Sequence, residues 1–195
     1  MKNVLVLGSG AREVAIARSV SQSLIKNSIF CISKDVNPQI RDLCEDYFVA
    51  DINGVSDVVS YSKKKEINLA IIGPENPLAN GVVNELERSG VRCVGPKKEV
   101  AMIETSKAFA RTIIDLCCPE KNPLRKEFDS TEGVESFIGQ LGEDYVIKFD
   151  GLMGGKGVRV SGEHLKNVNE GLDYAGEIAK SGGKFLIEEK LVGEE

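Results

Sequence analysis

The sequence predicts an α/β protein in which an open parallel, Rossmann-like sheet is followed by an α+β unit. In the first half of the 195 residues, short apolar strands alternate with helical patterns, which is typical of parallel βαβ units. The second half follows the order β-α-β-β-α-β, with a glycine-rich turn between its two middle strands. The composition changes near a loop with two prolines, 118–123. We therefore expect a domain boundary between Gly95 and Thr105, giving domains over residues 1–104 and 105–195.

Composition and charge narrow the class of protein. The chain is 42% hydrophobic and 28% charged, which is ordinary for a globular protein, and its net charge of -5 argues against a general nucleic-acid binder. It has no apolar run long enough to span a bilayer and no signal-peptide pattern, so we expect a cytoplasmic protein without a membrane partner. Five cysteines without a Cys-x-x-Cys pair and a single histidine, His164, argue against disulfide and transition-metal sites.

The strands of the first domain are predicted from short apolar runs, and its helices from apolar residues that recur at helical spacing. Strands are predicted over residues 3–7, 29–33, 47–50, 69–73 and 91–94. Helices are predicted over residues 11–23 and 55–65, after Leu78 to about Ser89, over 97–104 and, as a connector, over 106–116. In the first helix, the side chains that can share one apolar face are Ala15, Ile16, Ser19 and Val20.

The turn Gly8-Ser9-Gly10 joins the first strand to the first helix. A helix N-terminus offers unpaired N–H groups and a positive dipole end, which favour an anion. Arg12 lies in the first turn, where the dipole disfavours a cation, and this points to an anionic partner. A dinucleotide fingerprint needs a third glycine where Glu13 stands, so a mononucleotide-sized phosphate ligand ranks above NAD. Asp35 lies where a ribose-binding acid could fall, and it keeps NAD open as an alternative.

A second loop of the same kind, Gly73-Pro74-Glu75, follows the strand over 69–73. In open α/β sheets, ligands sit at the carboxyl ends of the strands. Both loops occupy such ends, so together they predict one site better than either does alone. Taken singly, Glu75 is also the charge that a helix start favours.

The second domain is predicted to form a sheet with a helix packed behind a central hairpin. Its strands are predicted over residues 124–128, 144–149, 157–161 and 184–189, and its helices over 131–141 and 163–180.

The hairpin turn, residues 151–157, holds four glycines and Lys156, and Lys148 precedes it. Free N–H groups in such a turn form an anion nest, and lysines add point charges suited to phosphate. A merely flexible turn with a solvated lysine is the competing interpretation, but four glycines between two lysines favour a polyphosphate site. The turn is not a Walker A loop, because Gly157 and a strand follow Lys156 instead of Ser or Thr and a helix.

Five segments in order resemble the phosphoribosylamine–glycine ligases, ATP-grasp enzymes of purine biosynthesis also called glycinamide ribonucleotide synthetases. These segments are residues 4–13, 73–81, 95–110, 148–158 and 187–195. The resemblance implies a pre-ATP-grasp domain over 1–104 and, over 105–195, the first part of an ATP-grasp domain with its nucleotide-covering subdomain. Two positions depart from the family pattern: Val14 replaces a usual histidine, and Thr105 replaces a usual glycine.

The resemblance also implies an activity: joining glycine to 5-phosphoribosylamine while splitting ATP to ADP and phosphate, through glycyl phosphate. The implied substrate-binding residues are Gly8, Ser9, Gly10, Arg12, Glu13, Gly73, Pro74 and Glu75. The implied ATP-binding residues are Lys107, Lys148, Gly151, Gly154, Gly155, Lys156, Gly157, Glu188, Glu189, Leu191 and Glu195. No side chain is assigned as catalytic, because phosphoryl transfer mainly asks a protein for positioning and charge neutralisation. Mg²⁺ or Mn²⁺ is expected, with its ligands outside this chain.

Family members continue for a similar length again, so we expect this chain to be an N-terminal part that lacks a C-terminal ATP-grasp half and is inactive alone. Three alternatives remain open at this point. They are another ATP-grasp carboxylate–amine ligase, a non-catalytic nucleotide-binding module and an NAD-dependent enzyme.

Overall fold

The computed structural model describes residues 2–193 and divides into two compact units, Met1–Ala101 and Met102–Glu195. The first unit contains β1 (Lys2–Leu7), α1 (Ala11–Ser21), β2 (Asn27–Ser33), α2 (Pro38–Arg41), β3 (Asp46–Val49), α3 (Val55–Lys64), β4 (Leu69–Ile72), α4 (Glu75–Ala79), α5 (Val82–Arg88) and β5 (Arg92–Val94). The division falls inside α6 (Lys98–Thr105). The second unit continues with α7 (Lys107–Cys117), β6 (Arg125–Phe128), α8 (Val134–Leu141), β7 (Tyr145–Phe149), β8 (Val158–Val160), α9 (Val168–Lys180) and β9 (Phe185–Glu189).

The first unit is the open parallel sheet that the sequence predicts, with strand order β3-β2-β1-β4-β5. Side chains of successive residues alternate between its two faces. Leu5 and Leu7 enter one buried cluster, and Val6 enters the other on the opposite face. Because both faces are covered, the strands read as continuous apolar runs.

The order of the strands places the two predicted substrate loops side by side. β1 pairs with β2 on one side and with β4 on the other, with Leu7 opposite both Ile32 and Ile72. The point between β1 and β4 is where the strand order reverses, and such a switch point opens a crevice at the carboxyl ends of the strands. The loops after β1 and β4 therefore meet at this crevice.

Some local predictions about helices are wrong. In α1 the buried residues are Glu13, Val14 and Ala17, whereas Ala15 and Ser19 are exposed, because a helix with five alanine or serine positions has no decisive apolar face.

Three further helical regions also differ from the prediction. The helix expected up to Ser89 is interrupted, because the chain turns at Gly81 between α4 and α5. The helix expected from 163 begins at Val168, after a turn in which Ser161 bridges to Leu165. The sequence pattern did not predict α2, a single turn that Pro38 begins.

The second unit is an antiparallel sheet with strand order β6-β9-β7-β8, and β7 and β8 form the predicted hairpin around the glycine-rich turn. Helices α8 and α9 pack on one face, where the buried aromatic residues include Phe128, Phe137 and Phe185. The opposite face carries Lys148 and Glu188, since residues two apart along a strand share a face and both alternate with core residues.

Within residues 2–193, no helix is both long and apolar enough to cross a membrane. His164 is exposed, and its Nδ1 accepts a hydrogen bond from the Val160 N–H.

Candidate functional site

Glu13 lies at the centre of the loop that follows β1. Its side chain is only 4% exposed, and its Oε2 accepts a 2.6 Å hydrogen bond from the Gly10 N–H. Its Oε1 accepts a 3.2 Å bond from the Arg12 Nε. This is the acidic half of a capping box, in which the third helical residue satisfies the backbone at the helix start. The carboxylate thus holds the loop closed from inside.

Three glycines of the two loops make room for this side chain. A Cβ on Gly73 would lie 1.9 Å from the Glu13 Oε1, and a Cβ on Gly10 would lie 2.8 Å from its Oε2. A Cβ on Gly8 would lie 2.9 Å from the Pro74 Cγ and 3.0 Å from the Glu13 Cγ. The sequence pattern indicated that these glycines let a ligand approach, whereas in the structure they surround a buried carboxylate. Ligand contact by Glu13 stays a prediction.

Arg12 joins the two loops. Its guanidinium donates to the Glu75 Oε1 at 3.1 and 3.2 Å as well as to Glu13. A hydrogen bond from its own backbone N–H and the charge of Arg12 hold the pKa of Glu75 below its usual value. Two carboxylates of the chain itself therefore pair with Arg12, and an anionic ligand for Arg12 stays a prediction. The Arg12 side chain is still 57% exposed, so it can also meet an incoming anion.

Asn37, which was not among the predicted site residues, supports the same loop. Its Nδ2 donates a 2.8 Å hydrogen bond to the Ser9 carbonyl, and its Oδ1 caps α2 by accepting from the Gln39 N–H. The dipeptide Asn37-Pro38 is a sequence signal for a helix start, with a capping side chain followed by proline at the first helical position. The signal could have located the residue, but not its contact with Ser9.

Asp150 ties the glycine-rich turn of the second unit to the start of α7. Its Oδ1 accepts from the backbone N–H groups of Lys107 and Ala108 at 2.5 and 3.2 Å, and its Oδ2 accepts from the Ser106 hydroxyl at 3.1 Å. A carboxylate at a helix N-terminus satisfies free N–H groups and complements the dipole. The sequence prediction missed this role, because Asp150 and Lys107 are 43 positions apart.

The Lys107 side chain reaches the same turn, and its Nζ donates a 3.0 Å hydrogen bond to the Gly151 carbonyl. Burial of the side chain is the main cause that lowers the pKa of Lys107, and the positive charge of Lys148 lowers it further, against the opposing charges of Asp150 and Glu188. The charges of the two lysines therefore act on each other within the second unit.

The glycine-rich turn has a packed base and an open tip. A Cβ on Gly151 would lie 2.6 Å from the Phe149 ring, and a Cβ on Gly157 would lie 3.1 Å from the Phe149 Cβ. Gly154 and Gly155 have φ of +55° and +78°, and a Cβ on either would meet nothing within 4 Å. Glycine at these two positions of the tip therefore allows a backbone conformation with positive φ, which glycine adopts without strain.

Glu188 is the centre of an ion-pair cluster on the sheet face that carries Lys148. It is 1% exposed, and its two oxygens accept from the Arg111 Nε and Nη2 at 2.7 Å each. Its Oε2 also accepts from the Lys148 Nζ at 2.6 Å. Burial alone would raise the pKa of Glu188, but the hydrogen bonds from Arg111 and Lys148 outweigh it and hold the pKa below its usual value. Arg111 was not predicted as a site residue.

The other predicted ATP residues lie apart from this cluster. The Glu189 Oε1 accepts from the Leu124 N–H at 3.0 Å, and the Leu191 side chain is 63% exposed. Glu195 lies outside the described residues. Lys156 is exposed at the tip of the turn.

No group of three or more His, Cys, Asp or Glu side chains in residues 2–193 could hold a metal ion.

Each unit offers a distinct chemistry. The first presents a helix N-terminus and a partly exposed guanidinium, which suit a single phosphate or carboxylate. The second presents two lysines and a glycine-rich turn, a combination that suits a polyphosphate.

Two family models match the chain in succession. The model for "Phosphoribosylglycinamide synthetase, N domain" matches residues 2–104, and that for "Phosphoribosylglycinamide synthetase, ATP-grasp (A) domain" matches residues 105–195. The resemblance identified from five sequence segments is confirmed.

Individual proteins agree with these models. The phosphoribosylamine–glycine ligase of Methanococcoides burtonii is 42% identical over 193 residues, which are 99% of this chain and 44% of the relative. The solved phosphoribosylamine–glycine ligase of Thermotoga maritima is 22% identical, with a TM-score of 0.73 over 98% of this chain and 44% of the other. An N5-carboxyaminoimidazole ribonucleotide synthetase solved with ADP is 17% identical, with a TM-score of 0.73 over 100% of this chain and 48% of the other. The chain thus spans less than half the length of these proteins, and the last two show the fold alone.

Proposed function

Because the chain belongs to the phosphoribosylglycinamide synthetase family, we propose that it forms part of a ligase that joins glycine to 5-phosphoribosylamine at the expense of ATP. The products are glycinamide ribonucleotide, ADP and phosphate, and glycyl phosphate is the intermediate that the amine attacks. The observation that carries the proposal is that the Lys107 ammonium contacts the glycine-rich turn while Lys148 lies on the strand that leads into it, in a chain that matches both family models.

The first unit binds the sugar phosphate in this proposal. The α1 N-terminus and the exposed side of Arg12 receive the phosphate, and the loop after β4 lies beside it for the ribose. Glu13 acts from within, by keeping the Gly10 backbone in place. A preformed loop spares the entropy of ordering a binding site when the ligand arrives.

The second unit binds ATP. Lys107 and Lys148 neutralise the phosphates, and the backbone of Gly154, Gly155 and Gly157, with Lys156, covers them. Asp150 positions this machinery by holding the start of α7 against the base of the turn. Phosphoryl transfer then depends on orientation and charge neutralisation, for which no protein nucleophile is needed.

The ligands of the protein are small molecules in this proposal, and the reaction takes place in the cytoplasm. The full-length protein that contains this chain should release ADP only when both glycine and 5-phosphoribosylamine are present with ATP. ADP release that does not depend on glycine would contradict the proposal in favour of another carboxylate–amine ligase. Tight ATP binding without any turnover would favour a non-catalytic nucleotide-binding module.

The 195-residue chain assayed alone should show no ligase turnover. Normal turnover by this chain would contradict the expectation that it needs further residues. Calorimetry with an ATP analogue on the chain and on its Lys148→Ala variant measures how much binding it retains.

A further inference from the structure

We propose that Arg111 is a positioning residue for ATP, which acts by compensating the buried charge of Glu188 so that Lys148 is available to the phosphates. The inference rests on the proposed function, because it assumes that Lys148 meets the nucleotide.

The geometry separates the two cations that share Glu188. Arg111 holds both carboxylate oxygens with its planar fork, at 2.7 Å each, whereas Lys148 holds only Oε2. A bidentate guanidinium pair is fixed in direction, while an ammonium on a four-carbon stem can turn to another acceptor. Lys148 is therefore the partner that can leave.

Lys148 can turn away from Glu188 only if another cation still pairs with the buried carboxylate. Glu188 is 1% exposed, and a buried carboxylate without a partner is strongly destabilised. With Arg111 in place, Glu188 keeps two hydrogen bonds when Lys148 turns away. Without Arg111, Glu188 would depend on Lys148 alone and would hold it back from any phosphate.

The net charge of this cluster differs between variants, and this difference can be tested. Two cations and one carboxylate leave it at +1. Arg111→Met brings it to 0, Glu188→Gln brings it to +2, and the double variant returns it to +1. The affinity of the protein for ATP should increase with this net charge.

The experiment is calorimetry of ATP and of adenosine on the full-length protein. Arg111→Met should bind ATP about tenfold more weakly, a loss of about 1.4 kcal/mol, with adenosine affinity unchanged. Arg111→Lys should stay within about threefold of the wild type, and the double variant Arg111→Met/Glu188→Gln should bind ATP more tightly than Arg111→Met. Arg159→Met is a matched control, because Arg159 lies on strand β8 of the same sheet but its guanidinium lies over the Tyr174 ring and not at Glu188, and it should leave ATP affinity unchanged.

Several results would overturn the proposal. Unchanged ATP affinity in Arg111→Met, equal losses for ATP and adenosine, or no recovery in the double variant would each assign Arg111 a structural role only. If Arg111→Met does not fold, Glu188→Gln should still bind ATP more tightly than the double variant, and equal affinities would reject the proposal. A wild-type protein that binds no ATP would reject the proposed function as well, which distinguishes the two failures.

Discussion

Two glycine-rich loops in this chain follow strands and were both predicted to bind phosphate, yet they are built in different ways. The loop after β1 is filled by its own side chain, since Glu13 lies 4% exposed among Gly8, Gly10 and Gly73. The turn between β7 and β8 is fixed only at its base, and its tip at Gly154 and Gly155 has open space where a Cβ would go.

The difference separates two uses of glycine. In the first loop glycine supplies volume, because another part of the protein occupies the position of a side chain. At the tip of the second it supplies backbone conformation, and nothing in the second unit yet packs against it. We infer that the first loop is held in place by its own side chain, whereas no neighbouring side chain restrains the tip of the second at Gly154 and Gly155.

The largest expected effect that separates the loops comes from Gly73→Ala. The new methyl group would overlap Glu13, so we expect a loss of about 2–3 kcal/mol in the free energy of unfolding, as for an overpacked core. Gly155→Ala is the matched control and should cost about 1 kcal/mol, because only its positive φ is strained. Urea unfolding measures both, with hydrogen exchange to locate the unit affected. Equal losses would remove the distinction between volume and conformation.

Removing the carboxylate that fills the first loop should have the next largest effect. Glu13→Ala leaves the Gly10 N–H without its partner, and a hydrogen bond to a charged group contributes about 2 kcal/mol. Glu75→Ala, which loses an exposed pair with Arg12 and a local hydrogen bond from its own backbone N–H, should cost less, about 1 kcal/mol. Thermal and urea unfolding compare the two variants. A Glu13→Ala protein as stable as Glu75→Ala would show that the first loop is not held from within.

The anchor of the second turn should be weaker. Asp150→Ala removes a helix cap, which costs about 1 kcal/mol, and it should speed amide exchange both in the first turn of α7 and in the glycine-rich turn. Asn167→Ala removes the cap of α9 at a similar cost, without reaching that turn. Hydrogen-exchange mass spectrometry distinguishes them, and identical exchange in the glycine-rich turn of both variants would reject the coupling.

The smallest expected effect is a pH dependence of the second turn. Because the pKa of Lys107 is lowered, its charge is complete at low pH and is lost, as pH rises, before that of an ordinary lysine with a pKa of about 10.4. As the pH rises towards the pKa of an ordinary lysine, the ATP affinity of the full-length protein should fall about two- to fivefold, as for a partly exposed ion pair. Lys107→Met should bind more weakly and lack this component. An affinity that falls identically in both proteins would assign it to another group.

Sequence patterns were sufficient where the relevant information is local. The period of the apolar residues predicted the parallel sheet and the later hairpin. The spacing of the glycines predicted the positions of both loops, with Arg12 as the added signal in the first and lysines in the second. Local patterns failed where several faces of a helix are similarly apolar. In α1, alanine and serine define no strong apolar stripe, and the buried face was predicted wrongly.

The sequence by itself determined the fold class, the family and the positions of the two glycine-rich loops. Only the tertiary structure decided what the side chains at those loops do. Glu13 meets Gly73 because β1 and β4 are neighbours, Asp150 caps a helix 43 positions away, and Arg111 pairs with Glu188 at a separation of 77. The physical reason is that a strand or turn depends on interactions within a few residues, whereas these pairs depend on strand order and on how α7 packs on its sheet.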